Sequence, residues 1–127
     1  MKQFILISTG AELLRIPADN LVYVEAYGNS SFVATMDGRK TPVSMQLGKI
    51  EDIMAAQLGD AGSNFIRLGR SLVINADYIF SIDTTLKTLV LSDGKRFSYE
   101  LSASREALVK FKKYIEEVTL CYGESAE

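Results

Sequence analysis

Arg67 and Arg70 lie three residues apart, with Gly69 between them and Ser71 directly after. A guanidinium forks two oxygens of one anion and a nearby hydroxyl adds a third donor, so Arg70 with Ser71 suits a phosphate group. The competing role is structural, with one arginine pairing with an internal carboxylate, for which Glu25 is the candidate, and the other solvated. Other polar side chains fall in turn-like stretches: Asn29, Ser30 and Ser31 after Gly28, Gln46 ahead of a helical stripe, and Lys87 after Thr84-Thr85-Leu86. Asn, Gln and Ser can each donate and accept hydrogen bonds, whereas Lys only donates. Asn75 is expected to hold a turn by bonding its own backbone.

Catalytic and metal chemistry finds little to work with. Histidine is absent, which removes Ser-His-Asp and Cys-His nucleophiles, His-ligated metals and His-based pH switches. The single cysteine, Cys121, can form neither an internal disulfide nor a multi-cysteine zinc site, and it reads as an inert thiol. Asp37-Gly38 and Asp93-Gly94 are turns, because neither is followed by the spaced oxygen ligands that calcium requires. With no paired acid and base, phosphate loop or cofactor motif, the expectation is a non-enzymatic chain with no cofactor and no metal. Lys110, Lys112 and Lys113 alternate with Phe111 and Tyr114 and are explained by a solvated helix face.

The elements that position these residues follow from composition and periodicity. A chain of 127 residues with 47% hydrophobic and 24% charged residues is one domain with a core, here residues 1–127. Net charge is −2 and the pI about 5.2, so any polyanion site must be a local basic patch on an acidic body. No apolar run approaches the roughly 20 residues of a membrane helix, and Phe4–Ile7 is shorter than the about 7–15 residues of a signal-peptide core. No membrane partner is expected, and the single cysteine fits a reducing cytoplasm. Strand-like runs occupy Phe4–Thr9, Leu13–Ile16, Leu21–Tyr27, Phe32–Met36, Arg39–Val43, Phe65–Leu68, Leu72–Asn75, Tyr78–Ile82, Thr88–Leu91 and Lys95–Tyr99. The two Asp-Gly pairs read as tight hairpin turns. Helical spacing appears only at Gln46–Leu58, with Ser44 as the expected cap, and at Ser104–Cys121, where Leu108, Phe111, Ile115 and Val118 form the stripe. A short C-terminal tail is expected over 118–127. The fold class is mainly β with two packed helices.

Residues 65–79, Phe-Ile-Arg-Leu-Gly-Arg-Ser-Leu-Val-Ile-Asn-Ala-Asp-Tyr-Ile, resemble the signature of the LytTR family, the DNA-binding output domain of many bacterial response regulators. Against F-x-R-x-H-R-S-x-x-V-N-x-x-x-I, the residues Phe65, Arg67, Arg70, Ser71, Asn75 and Ile79 match, Ile74 stands for valine and Gly69 replaces histidine. Ile16–Asp19, Val22–Ala26 and Gly28-Asn29 are similar to the family's opening block, and Ser81-Ile82, Leu89–Leu91 and Asp93-Gly94 to its closing hairpin, so the resemblance covers about 14–115. It implies layered short antiparallel sheets with helices at the side, and transcription regulation through DNA contact by loops rather than a recognition helix. It implies base contacts at Asn29, Ser30, Ser31, Gln46 and Lys87, and phosphate contacts at Arg70 and Ser71, with Arg39 and Lys40 added to the same edge and Arg67 left as the structural arginine. The implied partner is double-stranded DNA carrying direct or imperfect repeats, bound by a homodimer that forms on the DNA. No receiver domain is expected in this chain, so its input would come from abundance, a dimer partner or a regulatory protein partner. The alternative is an interaction module on the same scaffold with weak or lost DNA binding, suggested by the acidic pI and sparse donors in the contact loops.

Overall fold

The structure, a computed structural model, describes residues 3–122, with side-chain surroundings for 3–119. Strands β1 (Phe4–Ser8) and β2 (Leu13–Pro17) form an antiparallel hairpin. Strands β3 (Leu21–Tyr27), β4 (Ser30–Thr35), β5 (Lys40–Val43), β6 (Phe65–Leu68) and β7 (Leu72–Asn75) build an antiparallel sheet in the order β5-β4-β3-β7-β6. Strands β8 (Ile79–Asp83), β9 (Thr88–Ser92) and β10 (Ser98–Ser102) make a third sheet in the order β10-β9-β8. Helix α1 (Leu47–Leu58) follows β5, and α2 (Arg105–Tyr122) follows β10. The chain is mainly β, with three antiparallel sheets and two helices.

The five-stranded sheet is the middle layer and is covered on both faces, which is why β3 and β7 read as near-continuous apolar runs. One face packs Val24, Val33 and Val73 against Ile5, Ile7 and Ile16 of the hairpin and Leu47, Ile50, Met54 and Leu58 of α1. The opposite face packs Tyr23, Ala34, Leu72 and Ile74 against Leu89 and Leu91 of β9 and Leu108 and Phe111 of α2. A register shift between Leu21 and Tyr23 breaks strict alternation, so Val22 and Tyr23 both join this second cluster. Burying each large apolar side chain contributes roughly 1.5–3 kcal/mol. The two helices are therefore held by their stripes.

Local chemistry departs from the sequence reading in three places. Ser44 does not cap α1, since Gln46 is the residue before the helix and no side chain bonds its first amides. Ser104 does cap α2, its Oγ accepting from the Ala107 N–H at 3.1 Å. At the second Asp-Gly pair the strand begins at Ser98 rather than Lys95. The Asp93 carboxylate accepts from the N–H groups of Lys95, Arg96 and Phe97 at 2.9, 2.7 and 3.2 Å, which curls the chain into a wider loop and drops Phe97 into the core. Helix α2 runs through 118–122, the first half of the expected tail. The Cys121 side chain lies outside the described residues.

Candidate nucleic-acid interface

Register decides which turns share an edge. Tyr27 pairs with Ser30 and Ser31 with Val43, so the β3–β4 turn at Gly28-Asn29 and the β5–α1 junction at Ser44–Gln46 lie at one end of the sheet. The Ala26 N–H donates to the Ser71 carbonyl at 2.8 Å, which brings the β6–β7 turn, Gly69–Ser71, to that same end. The Ala103 N–H donates to the Lys87 carbonyl at 3.2 Å, and Ala103 and Ser104 line one groove with Gly69, Arg70 and Ser71. The β8–β9 turn thus joins the edge through the start of α2.

Within this edge, Asn29 and Gln46 are exposed and tied together, Gln46 Nε2 donating to Asn29 Oδ1 at 3.2 Å. Ser30 is half-buried as the first residue of β4. Ser31, expected to face a base, is 1% exposed, and its Oγ donates to the Met45 carbonyl at 2.8 Å. Its pairing with Val43 places it beneath the β5–α1 junction, so it braces that turn and presents nothing outward. Lys87 is exposed and holds a positive φ of 61°, in a turn where Asp83 Oδ1 accepts from the Leu86 N–H at 2.8 Å. A non-glycine residue held left-handed costs about 1–2 kcal/mol and marks a tightly constrained turn.

Arg67 is the paired arginine, and its carboxylate is not the one expected. Arg67 pairs with Glu51 of α1, not Glu25, while its Nε and second terminal nitrogen donate to the carbonyls of Gly69 and Arg70 at 3.1 and 3.0 Å. Arg67 therefore buttresses the turn that carries Arg70, and Gly69 closes it at φ 67°. Arg70 and Ser71 are exposed, and Arg70 enters no ion pair among the described residues. Asn75 holds its turn: Nδ2 donates to the Leu21 carbonyl at 2.9 Å, and Oδ1 accepts from Asn64 Nδ2 at 2.8 Å and the Asp77 N–H at 3.0 Å.

Arg39 and Lys40 do not join this edge. Thr35 pairs with Leu21 at the opposite end of the sheet, and its N–H donates to the Arg39 carbonyl at 3.0 Å. The six residues of β4 separate the two ends by about 20 Å. Arg39 is paired with Asp37 at 3.4 Å, and Lys40 reaches back only as far as the Phe32 ring, 5.5 Å from its centroid. The Thr35 hydroxyl first, and then the Arg39 N–H, holds the Asp37 carboxyl below the usual carboxylate range.

Sequence reasoning missed two features of the turn edge. Arg105 opens α2 between the groove-lining Ser104 and Glu106 and is exposed. A cation in a helix's first turn opposes the macrodipole, and that mismatch directly after a capping serine was the available signal. Tyr27 and Phe32 pack with their rings tilted at 54° and centroids 5.3 Å apart, and Tyr27 is exposed beside the β3–β4 turn. Among the described residues, no helix is long and apolar enough to cross a membrane.

Comparison with known proteins agrees with this architecture. The solved LytTr DNA-binding domain of a Bacillus cereus protein, described as a methyl-accepting/DNA response regulator, superposes with a TM-score of 0.61 at 21% identity, covering 91% of this chain and 98% of that one. No curated protein sequence matches at a significant level. The family model of the LytTr DNA-binding domain matches residues 11–116, which span β2 to β10, α1 and the first two-thirds of α2. With that match, the chain belongs to the LytTR DNA-binding domain family.

Proposed function

We propose that this chain is a sequence-specific, non-enzymatic transcriptional regulator of the bacterial cytoplasm, contacting double-stranded DNA through the turns at one edge of the five-stranded sheet. Asn29, Gln46 and Lys87 serve as base-edge readers, with Ser30 beside them. Amide side chains match the donor-acceptor pair of adenine, and a lysine donates to guanine O6 and N7. Arg70, Ser71 and Arg105 hold phosphates, setting register without reading sequence. The observation that carries this reading is the Arg67 clamp. Its guanidinium bonds two carbonyls of the β6–β7 turn and anchors them to Glu51, while Arg70 enters no ion pair among the described residues at the edge that also carries the Asn29–Gln46 pair.

An edge built from small turns is narrow, so two protomers on repeated half-sites would supply the affinity that one cannot. We place that pairing on the DNA. The test is a mobility shift with genomic fragments at low salt, comparing the wild type with Arg70→Ala and Gln46→Ala. Arg70→Ala should weaken all fragments alike, whereas Gln46→Ala should relax preference at particular base pairs at about 1–3 kcal/mol each. Unchanged binding by both variants would remove the turn edge from the interface.

A further inference from the structure

Between the β6–β7 hairpin and the first half of α2 lies a groove of about 720 Å³, within the usual range for small-molecule sites. Its floor is apolar, built from Ile66, Leu68, Ala107 and Phe111, and its rim carries Arg70 and Lys110. Gly69 lines it in a left-handed conformation, φ 67°, and its missing Cβ would come no nearer than 4.0 Å to Ala107 Cβ. Arg67 also lines it, but its charge is matched by Glu51. Against Arg70 and Lys110 stands one carboxylate, Glu106, so the rim is net cationic on a chain whose formal charge is −2.

An apolar floor beneath two cations matches one ligand chemistry. We propose that this groove binds a small amphipathic carboxylate, its hydrocarbon body on Ile66, Leu68, Ala107 and Phe111 and its head between Arg70 and Lys110. Binding consists of burying apolar surface and forming charge-assisted hydrogen bonds, with no covalent step. The site also has a regulatory consequence, which rests on the proposed function. Arg70 cannot serve a carboxylate and a DNA phosphate together, so occupancy of the groove weakens DNA binding.

The test uses the full chain and octanoate as the probe, with octanamide as its uncharged counterpart. Titration is followed by calorimetry and by amide chemical shifts, without DNA. Octanoate should saturably shift the amides of 68–71 and 103–110, and octanamide should bind at least about tenfold more weakly. Lys110→Gln should weaken octanoate about tenfold and leave octanamide unchanged. Ala107→Leu, which fills the floor, should weaken both. Equal affinity for the two probes, shifts confined to other surfaces, or no saturation below about 10 mM would overturn the assignment. In a second arm, octanoate should raise the dissociation constant for DNA with the wild type and need about tenfold higher concentration to do so with Lys110→Gln, and an unaffected wild type overturns the competition. Saturable octanoate binding by a protein that binds no DNA supports the groove and refutes the DNA reading alone.

Discussion

Replacing Arg70 by alanine removes a cation from the turn edge without touching a buried contact. The cations that hold phosphates there are Arg70 and Arg105, because Lys87 faces a base edge, Arg39 lies at the far end of the sheet and Arg67 is paired with Glu51. Each neutralised phosphate contributes about −0.9 to the slope of log affinity against log salt, so one protomer should show about −1.8. Raising salt from about 50 to 200 mM should then weaken wild-type binding about 12-fold and Arg70→Ala binding only about 3.5-fold. Arg67→Ala tests the clamp. It frees Glu51 and loosens the turn, which lowers affinity, but it removes no phosphate contact and should leave the slope unchanged. Because Arg67 and Glu51 are both more than a third exposed, their pairing itself contributes no more than about 1 kcal/mol to stability. Arg39→Ala should change neither affinity nor slope. Fluorescence anisotropy on one labelled duplex across a salt series measures all three variants. A flattened slope in Arg67→Ala, or a flattening in Arg39→Ala equal to that of Arg70→Ala, would refute the division of roles.

Other predictions concern the scaffold. Asn75→Ala loses three hydrogen bonds from a side chain 1% exposed and should cost about 3 kcal/mol in urea denaturation, whereas a cost below about 1 kcal/mol would contradict its role as a tie between β7 and β3. The backbone N–H groups of Lys95, Arg96 and Phe97, that of Lys95 foremost, hold the Asp93 carboxyl well below its ordinary range. Its contribution is therefore present above about pH 4 and lost as pH falls below that, so Asp93→Asn should flatten the acid side of a melting-temperature profile. Burial, with Glu25 adding to it, pushes the Tyr23 phenol up to about 12, so its stabilisation holds below pH about 10 and is lost as pH rises through 12. Tyr23→Phe should flatten the alkaline side, and phenolate absorbance should show one tyrosine ionising together with unfolding.

The layers were legible because they rest on local periodicity. Leu47, Ile50, Met54 and Leu58 recur at helical spacing because a single face of α1 meets the sheet. Asn75 could be read as a turn holder because its bond to the Asp77 N–H spans only two residues. Long-range pairing was hidden. Nothing local links Arg67 to Glu51, sixteen positions earlier and on a helix, so Glu25 was named in its place. Ser31 reads as a loop residue until its register with Val43 buries it. The placement of Arg39 was recoverable: in a meander, successive hairpin turns fall at opposite ends, so the β3–β4 and β4–β5 turns cannot share an edge. Asp93 shows a further limit, since one carboxylate taking three amides turns an apparent two-residue hairpin into a wider loop.

The central claim, that the turn edge reads DNA sequence, is tested most directly by selecting genomic fragments on the full chain at about 50 mM salt, with Arg70→Ala in parallel. The account predicts enriched fragments that share a repeated motif and are recovered in much lower yield, with the same motif, by Arg70→Ala. Recovery of no enriched sequence by the wild-type chain would contradict it.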